Sequence, residues 1–422
     1  MSDARASETT RRLIVLGATG SIGRQTVEVV EHLNGVRKRA GKPDAFRVVG
    51  LAGGKNEREA LEIARRLGVQ RLAMHCGEGV EEVGGVRVER GSQAAERLVR
   101  EVDCDVVLAA IVGSAGLPAT LAAVELGRDV ALANKETLVA AGGIVVPAAR
   151  ASGSRLLPVD SEHSAIWQCL WGRESEACPP CEVGREVKRV TLTASGGPFR
   201  TASREETYHA TAEKALKHPT WTMGAKVTVD SASLTNKALE LIEAHWLFGL
   251  ESARLDAVVH PQSIVHSFVE FADGSVLAQL GAPDMRTPIQ IALTYPERPA
   301  GCSKTLDLTT MSRLDFEPVD HERFPALRLG LRVIDEGGSA GAVLNGANEV
   351  GVEAFLSGAI PFGRITELAS EAMDRISWRA TPTLESVMEA DEEARQFVRA
   401  ALGDGKVRVR GVGAGSARVG DR

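Results

Sequence analysis

Aromatic residues are only 4% of the 422-residue chain, too few for a stacking platform that would grip single-stranded nucleic acid. Neither sign of charge dominates. With 50 Lys and Arg against 56 Asp and Glu, the formal net charge is −6, so no overall positive field draws nucleic acid or anionic lipid. Any anionic ligand must be held by a local pocket. The six cysteines, at 76, 104, 169, 178, 181 and 302, are too sparse and irregular for a disulfide framework and fit a reducing cytosol. Long apolar runs are also missing. The uncharged stretch 106–124 approaches membrane-span length, but Gly113, Ser114, Gly116 and Pro118 interrupt it, which predicts a buried strand, a turn and a helix start. Arg11-Arg12 ahead of Leu13 has the outline of a twin-arginine export signal, yet the apolar run breaks at Gly17 and reads as a first strand. The expectation is a soluble, cytoplasmic protein with neither a nucleic-acid nor a membrane partner.

What is present is globular. Hydrophobic residues at 44% can build a core, and at roughly 150 residues per domain the length implies two to three domains. From Arg12 the chain alternates strand and helix. Leu13–Leu16 precedes a helix with apolar Ile22, Val29, Val30 and Leu33 that should stop at Gly35; Phe46–Leu51 is a second strand, followed by helical spacing after Asn56. Val106–Val112 and Val130–Ala133 are further buried strands. This alternation predicts an α/β, Rossmann-like doubly wound domain over 12–150. Strand-like runs at 156–159, 187–193, 257–260 and 275–280 around one helix near 234–248 predict a central α+β domain over 151–300. Residues 301–321 read as a linker, 322–405 as a helical bundle broken at Gly337-Gly338, Gly358 and Pro382, and 406–422 as a disordered tail.

Gly17-Ala-Thr19-Gly20-Ser21-Ile22-Gly23 lies where the first strand meets its helix, the place where glycines let a pyrophosphate approach free N–H groups; a plain glycine turn is the alternative. At the end of the second strand, where NAD sites usually carry an acid, the text is Gly53-Gly54-Lys55-Asn56. A lysine there suits a 2′-phosphate and therefore NADP, though it also reads as a surface lysine. Leu156-Leu-Pro-Val-Asp160-Ser161-Glu162-His163 ends a strand with acids at i and i+2, which strand alternation would place on one face, unless this is only a solvated strand end. Asp230-Ser231-Ala-Ser233-Leu-Thr-Asn236-Lys237-Ala-Leu-Glu240 reads as a hydroxyl-rich loop entering a helix on which Asn236 and Glu240 share a face. Ser, Asn and Lys near a helix start make a phosphate site, and Glu240 completes three carboxylates. All-oxygen ligation points to a hard cation such as Mg²⁺ or Mn²⁺, with Co²⁺ a further candidate.

Other segments are individually ambiguous. Thr193-Ala-Ser195-Gly196-Gly197-Pro198-Phe199 is an anion-binding turn or a plain one. His218-Pro-Thr-Trp221-Thr-Met223-Gly224 is a lid closing an indole over substrate or a packed loop. His260, in His260-Pro261-Gln262-Ser263, supports the site from behind or is simply a buried structural histidine. Asn134-Lys135-Glu136 follows a buried strand at the carboxyl edge, where ligands collect. Cys178-Pro-Pro-Cys181 has zinc-like spacing without a second pair and reads as an exposed loop.

In this order, over about residues 12–400, these motifs resemble the 1-deoxy-D-xylulose 5-phosphate reductoisomerase family. The resemblance implies a homodimer that uses NADPH and a divalent metal to convert 1-deoxy-D-xylulose 5-phosphate to 2-C-methyl-D-erythritol 4-phosphate, by retro-aldol cleavage, aldol rejoining and hydride reduction. It implies that Asp160, Glu162 and Glu240 hold the metal, and that Ser195, Ser231, Asn236 and Lys237 bind the substrate phosphate. Lys135 and Ser161 would contact the substrate backbone, with His218, Trp221 and Met223 on the lid. Thr19, Gly20, Ser21, Ile22, Gly54, Lys55, Asn56, Asn134, Glu136 and Gly224 would line the NADPH site. Ala238 departs from the glycine often found there. An NADP-dependent semialdehyde dehydrogenase would need a nucleophilic cysteine, and none has a recognisable nucleophile context. A non-catalytic NADP-binding sensor would leave the carboxylates without a use.

Overall fold

Valine, leucine and isoleucine crowd the strands nearest the N-terminus because those strands are covered on both faces. The structure, a computed structural model, describes residues 9–171, 178–221 and 223–403; the expected tail at 406–422 lies outside them. Strands β1 (Arg11–Leu16), β2 (Phe46–Gly53), β3 (Arg71–Met74), β4 (Gly79–Val83), β5 (Val86–Arg90), β6 (Val106–Ala109), β7 (Asp129–Leu132) and β8 (Leu156–Pro158) form one sheet in the order β4-β5-β3-β2-β1-β6-β7-β8. All pairings are parallel except the β4–β5 hairpin, whose Gly84-Gly85 turn has both φ angles positive. Leu13, Ile14 and Val15 of β1 are fully buried, and side chains of this size contribute roughly 1.5–3 kcal/mol each on burial.

Helices α1 (Ser21–Arg39), α2 (Glu57–Leu67), α3 (Ala94–Glu101), α4 (Leu117–Glu125) and α5 (Glu136–Ser152) connect these strands. Four details depart from the sequence pattern. Helix α1 runs through Gly35 to Arg39, its last turn carrying Arg37, Lys38 and Arg39 where the helix dipole favours cations. Strand β6 stops at Ala109, leaving Val112 exposed beyond the sheet edge. Strand β8 pairs with β7 and therefore extends the first sheet, so that sheet crosses the expected boundary at residue 150. The Cys178–Cys181 segment is half-buried rather than exposed: Pro179 O accepts from Leu156 N, and Cys181 N donates to Leu247 O.

Helix α6 (Ser161–Leu170) leads to the second sheet, formed by β9 (Val187–Ala194), β10 (Leu255–Val259), β11 (Val265–Phe271), β12 (Val276–Leu280) and β13 (Glu317–Pro318) in the order β12-β11-β9-β10-β13. The expected linker thus contributes an edge strand. More than one helix accompanies this sheet. Short α7 (Arg204–Tyr208) and α8 (Ala212–Ala215) precede α9 (Ala225–Ala232) and α10 (Thr235–Phe248), with α11 (Arg286–Thr294) later. Four helices follow: α12 (Ala326–Glu336), α13 (Ala340–Leu356), α14 (Arg364–Arg375) and α15 (Leu384–Ala401). One apolar core runs from Leu13 through Leu192 to Leu344 and Val398. Among the described residues, no helix is long and apolar enough to cross a membrane.

Candidate active site

The two sheets meet at a cavity of about 650 Å³, and each wall is built by local rules. On the first sheet the strand order reverses between β1 and β6, the crevice where such folds take ligands. Gly17 (φ +86°) sits there so close to β6 that a Cβ would meet Ala110 O at 2.4 Å. Gly23 is equally crowded, its hypothetical Cβ 2.3 Å from Gly17 O. Gly20 occupies the cap of α1 without a side-chain hydrogen bond, so the first amides of that helix remain available to an anion. Gly20, Ser21 and Ile22 line the cavity. Thr19 does not. Gly54, Lys55 and Asn56 follow β2 along the same carboxyl edge, exposed and outside the cavity, and the Asn56 side chain caps α2 by accepting from Glu59 N.

The opposite wall is acidic. Asp160 is the cap residue of α6 and Glu162 lies in its first turn, so the pair converges through a helix start and not through strand alternation. Asp230 and Ser231 lie on α9 rather than in a loop. Leu234, at φ +57°, makes the sharp turn into α10, held by Ser233 Oγ bonds to Val229 O and Asp230 O. That turn sets Ser231 beside Asn236, Lys237 and Glu240 on the cavity wall. The metal-candidate oxygens of Asp160, Glu162 and Glu240 lie within 4.8 Å of one another. Lys135 Nζ reaches Asp160 Oδ2 (2.8 Å), Asn236 Oδ1 (2.7 Å) and Glu240 Oε1 (3.2 Å), while Lys237 Nζ bonds Glu162 Oε1 (2.6 Å) and Glu240.

Three carboxylates against two ammonium groups leave the cluster short of positive charge. Burial opposes ionisation of Asp160, but Lys135 holds its carboxyl well below the usual range. Burial and then neighbouring Glu240 push the Glu162 carboxyl up to about 8. Burial also opposes charge on Lys135, which Asp160 and Glu240 more than offset. Converging oxygen donors, with the Glu162 proton exchangeable for a cation, fit a hard divalent ion. Behind them, and missed from sequence, lie His163 and Glu243. His163 Nε2 contacts Glu240 O (2.8 Å), and His163 Nδ1 faces Glu243 Oε2 at 3.7 Å with no hydrogen-bond partner for either atom. Burial pushes the Glu243 carboxyl well above its usual range and lowers the His163 imidazole. The spacings Asp160-x-x-His163 and Glu240-x-x-Glu243 carry the signal that would have found them.

The third wall is formed by Ser195, Thr220, Trp221, Met223 and Gly224. His218 Nδ1 accepts from Thr220 N (3.1 Å) and Trp221 N (2.8 Å), so the ring proton is on Nε2, which donates to Ser195 Oγ at 2.9 Å. Gly197 N also donates to Ser195 Oγ (3.2 Å), leaving the serine's own hydrogen free to point into the cavity. Trp221, Met223 and Gly224 line the cavity; His218 does not, acting instead as the tie between this segment and Ser195. Trp221 stands 6.4 Å from His266, a lining residue the sequence did not single out, which burial lowers to about 4 and keeps neutral.

Lys135, Ser161 and Ser195 line the cavity as expected, and Ser263 joins them. Two neighbours of Lys135 do not. The Asn134 side chain is used up on Ile111 O, Gly113 O and Thr137, and the Glu136 carboxylate is bonded to Lys226 Nζ at 2.7 Å. His260 is fully buried outside the cavity lining, its Nδ1 on Asp315 O, its ring stacked on Phe316 at 4.6 Å and its Nε2 without a hydrogen-bond partner. No cysteine lines the cavity, and burial raises the thiols of Cys104, Cys169, Cys178 and Cys181 to about 11–12, the reverse of an activated nucleophile.

A dinucleotide-type sheet edge facing a buried carboxylate cluster defines a nucleotide-dependent oxidoreductase with a metal-type acidic centre. Comparison with known proteins narrows the class. Family models described as 1-deoxy-D-xylulose 5-phosphate reductoisomerase match residues 13–142, its C-terminal domain 156–248, and a DXP reductoisomerase C-terminal domain 280–397. The chain is 47% identical over 397 residues to 1-deoxy-D-xylulose 5-phosphate reductoisomerase of Pelotomaculum thermopropionicum, covering 92% of this chain and 97% of that one. It is 48% identical to that of Sinorhizobium medicae, over 93% of this chain and 98% of that one. The crystal structure of a DOX-P reductoisomerase with NADPH, fosmidomycin and magnesium superposes with a TM-score of 0.83 at 34% identity, over 93% and 98% of the two chains. The Zymomonas mobilis enzyme in complex with NADPH gives 0.81 at 40% identity, over 93% and 99%. The chain belongs to the 1-deoxy-D-xylulose 5-phosphate reductoisomerase family.

Proposed function

We propose that this protein rearranges 1-deoxy-D-xylulose 5-phosphate and reduces the product with NADPH to 2-C-methyl-D-erythritol 4-phosphate, using Mg²⁺ or Mn²⁺. The observation that carries the reading is the shared cavity: Gly20–Ile22 on one wall face Asp160, Glu162 and Glu240 on the other. Ser195, Ser231, Asn236 and Lys237 bind the substrate phosphate, which lies remote from the reacting carbons and supplies binding energy for orientation. Lys135 and Ser161 orient the sugar backbone. A cation held by Asp160, Glu162 and Glu240 supplies Lewis-acid stabilisation to substrate oxygens, and NADPH supplies the hydride. Trp221 and Met223 close over the cavity and exclude water, with His218 anchoring that segment to Ser195. Asn134 and Glu136 act on the cofactor side through the backbone they position, since their side chains are spent elsewhere. The nucleotide-binding, catalytic and helical parts work as one unit in a cytoplasmic homodimer.

The test follows NADPH absorbance with the sugar phosphate and Mg²⁺ or Mn²⁺, then with chelator. Oxidation that requires both sugar phosphate and metal is expected. NADPH that binds but is never consumed would leave only a nucleotide-binding protein.

A further inference from the structure

Glycine packing shows how near the C-terminal helices come to the active site: a Cβ on Gly341 of α13 would lie 1.8 Å from Val139 O of α5. Two turns further along α13 begins a buried polar chain. Asn348 Nδ2 of α13 donates to Asp230 Oδ1 of α9 at 2.9 Å; the other oxygen, Asp230 Oδ2, meets Lys226 Nζ at 3.1 Å, and the same ammonium meets Glu136 Oε1 at 2.7 Å. Asp230, Glu136 and Asn348 are all at least 96% buried. Glu136 and Lys226 at one end of the chain touch catalytic architecture. Glu136 opens α5 immediately after Lys135, and Lys226 lines the cavity two residues after the lid's Gly224, the cap of α9.

We propose that Asn348, Asp230 and Lys226 are positioning residues, through which helix α13 sets the joint between the lid and α9 and the start of α5 that presents Lys135. The physical reason is that buried charges are tolerated only when paired. Asp230 and Glu136 find their partners only while α5, α9 and α13 keep this one arrangement. Displacing any of the three leaves a buried carboxylate short of a bond, so the three helices are coupled. Asn345 provides the internal contrast. It lies one turn earlier on α13 and is equally buried, but it bonds Glu349 and Asp391 within the C-terminal helices, reaching neither α9 nor α5.

The experiment compares wild type, Asn348→Ala, Asn348→Ser and Asn345→Ala in the full chain by amide hydrogen exchange without ligands, and then by steady-state kinetics. In Asn348→Ala, the Thr228 amide (bonded to Gly224 O) and the Leu138 and Val139 amides (bonded to Lys135 O) should exchange about tenfold faster, because local opening free energy is what exchange reads. Amides of α15 should not change, Asn348→Ser should fall between, and Asn345→Ala should leave all three reporters unmoved. On the kinetic arm, kcat should fall about tenfold in Asn348→Ala with KM for NADPH within about twofold, since misplacement acts in the assembled complex. Equal loosening by Asn345→Ala and Asn348→Ala, or faster exchange in Asn348→Ala with kcat unchanged, would overturn the proposal. The kinetic arm rests on the proposed activity. A wild type without turnover would refute that activity, while the exchange arm would still decide the coupling.

Discussion

The two facing walls of the cavity are made of different materials. The acidic wall is built from side chains: Asp160 and Glu162 at one helix start, Glu240 on another helix, and Lys135 and Lys237 threaded between them. The nucleotide wall is largely backbone: glycines that have no room for a Cβ, and helix amides with no side chain capping them. A side-chain site fails when a functional group is replaced within an intact fold. A backbone site tolerates such replacements and fails when an added atom moves the chain.

The sharpest way to break the acidic wall alone is Glu240→Gln, which keeps shape and removes charge. It should weaken metal binding and lower kcat/KM by two to four decades, about 3–5 kcal/mol in the barrier. Steady-state kinetics over a metal titration checks this, and near-native turnover with unchanged metal dependence would refute the role of Glu240. The matching change on the other wall is Gly23→Ala. The new methyl would press on Gly17 O and on Ala18 Cα at 2.6 Å, both backbone atoms, so the turn itself must shift. Overpacking of this kind costs about 1–3 kcal/mol, readable as a lowered denaturation midpoint. NADPH binding should weaken about tenfold while metal binding is retained. If metal affinity fell equally, the two walls would not be independent.

How much of each wall was legible in the sequence follows from the same difference. Spacing along one helix survives folding, so Asn236 and Glu240 meet as their i, i+4 separation required, with Asn236 Nδ2 bonded to Glu240. Asp160 and Glu162 converge too, but for another reason than strand alternation, because the strand ends two residues earlier and a helix begins. Strands β3 to β5 escaped notice since Glu81, Glu82 and Arg87 break the apolar pattern, though Gly84-Gly85 marked their hairpin. Strand β8 was legible as a strand but not as a member of the first sheet, since its partner β7 lies more than 20 residues away. The Lys226–Glu136 pair spans 90 residues and has no local signature, so the partner of Glu136 could not be read from the chain.

The acidic wall has a pH signature that the backbone wall lacks. Burial and Glu240 raise Glu162 from its ordinary 4.5 to about 8, so the metal-free folded protein holds a proton there that the unfolded chain releases. The sign follows directly. This group's contribution to stability is complete below 4.5 and is lost as pH rises through about 8. Metal needs the ionised form, so apparent Mg²⁺ affinity should climb with pH by up to about tenfold per unit below 8 and then level. Fluorescence titration at several pH values measures it. In Glu162→Gln the slope should vanish together with most of the affinity, whereas NADPH affinity should keep its own, shallower profile.

The smallest expected effect tests where the backbone wall ends and a side chain takes over. Lys55 follows β2 at the exposed carboxyl edge, outside the cavity that holds Gly20, Ser21 and Ile22. If it meets the 2′-phosphate, it does so in water, where one exposed ion pair is worth little and is screened by salt. Lys55→Ala should therefore raise KM for NADPH by no more than about fivefold, leave kcat unchanged, and leave any turnover with NADH unaffected. The difference should shrink as salt is added. A loss that is equal for both cofactors would mean that Lys55 shapes the β2 turn; a loss in kcat would mean that the edge couples to the acidic wall. A small, NADPH-specific, salt-sensitive loss would mark Lys55 as a selective side chain added to a site otherwise made of backbone.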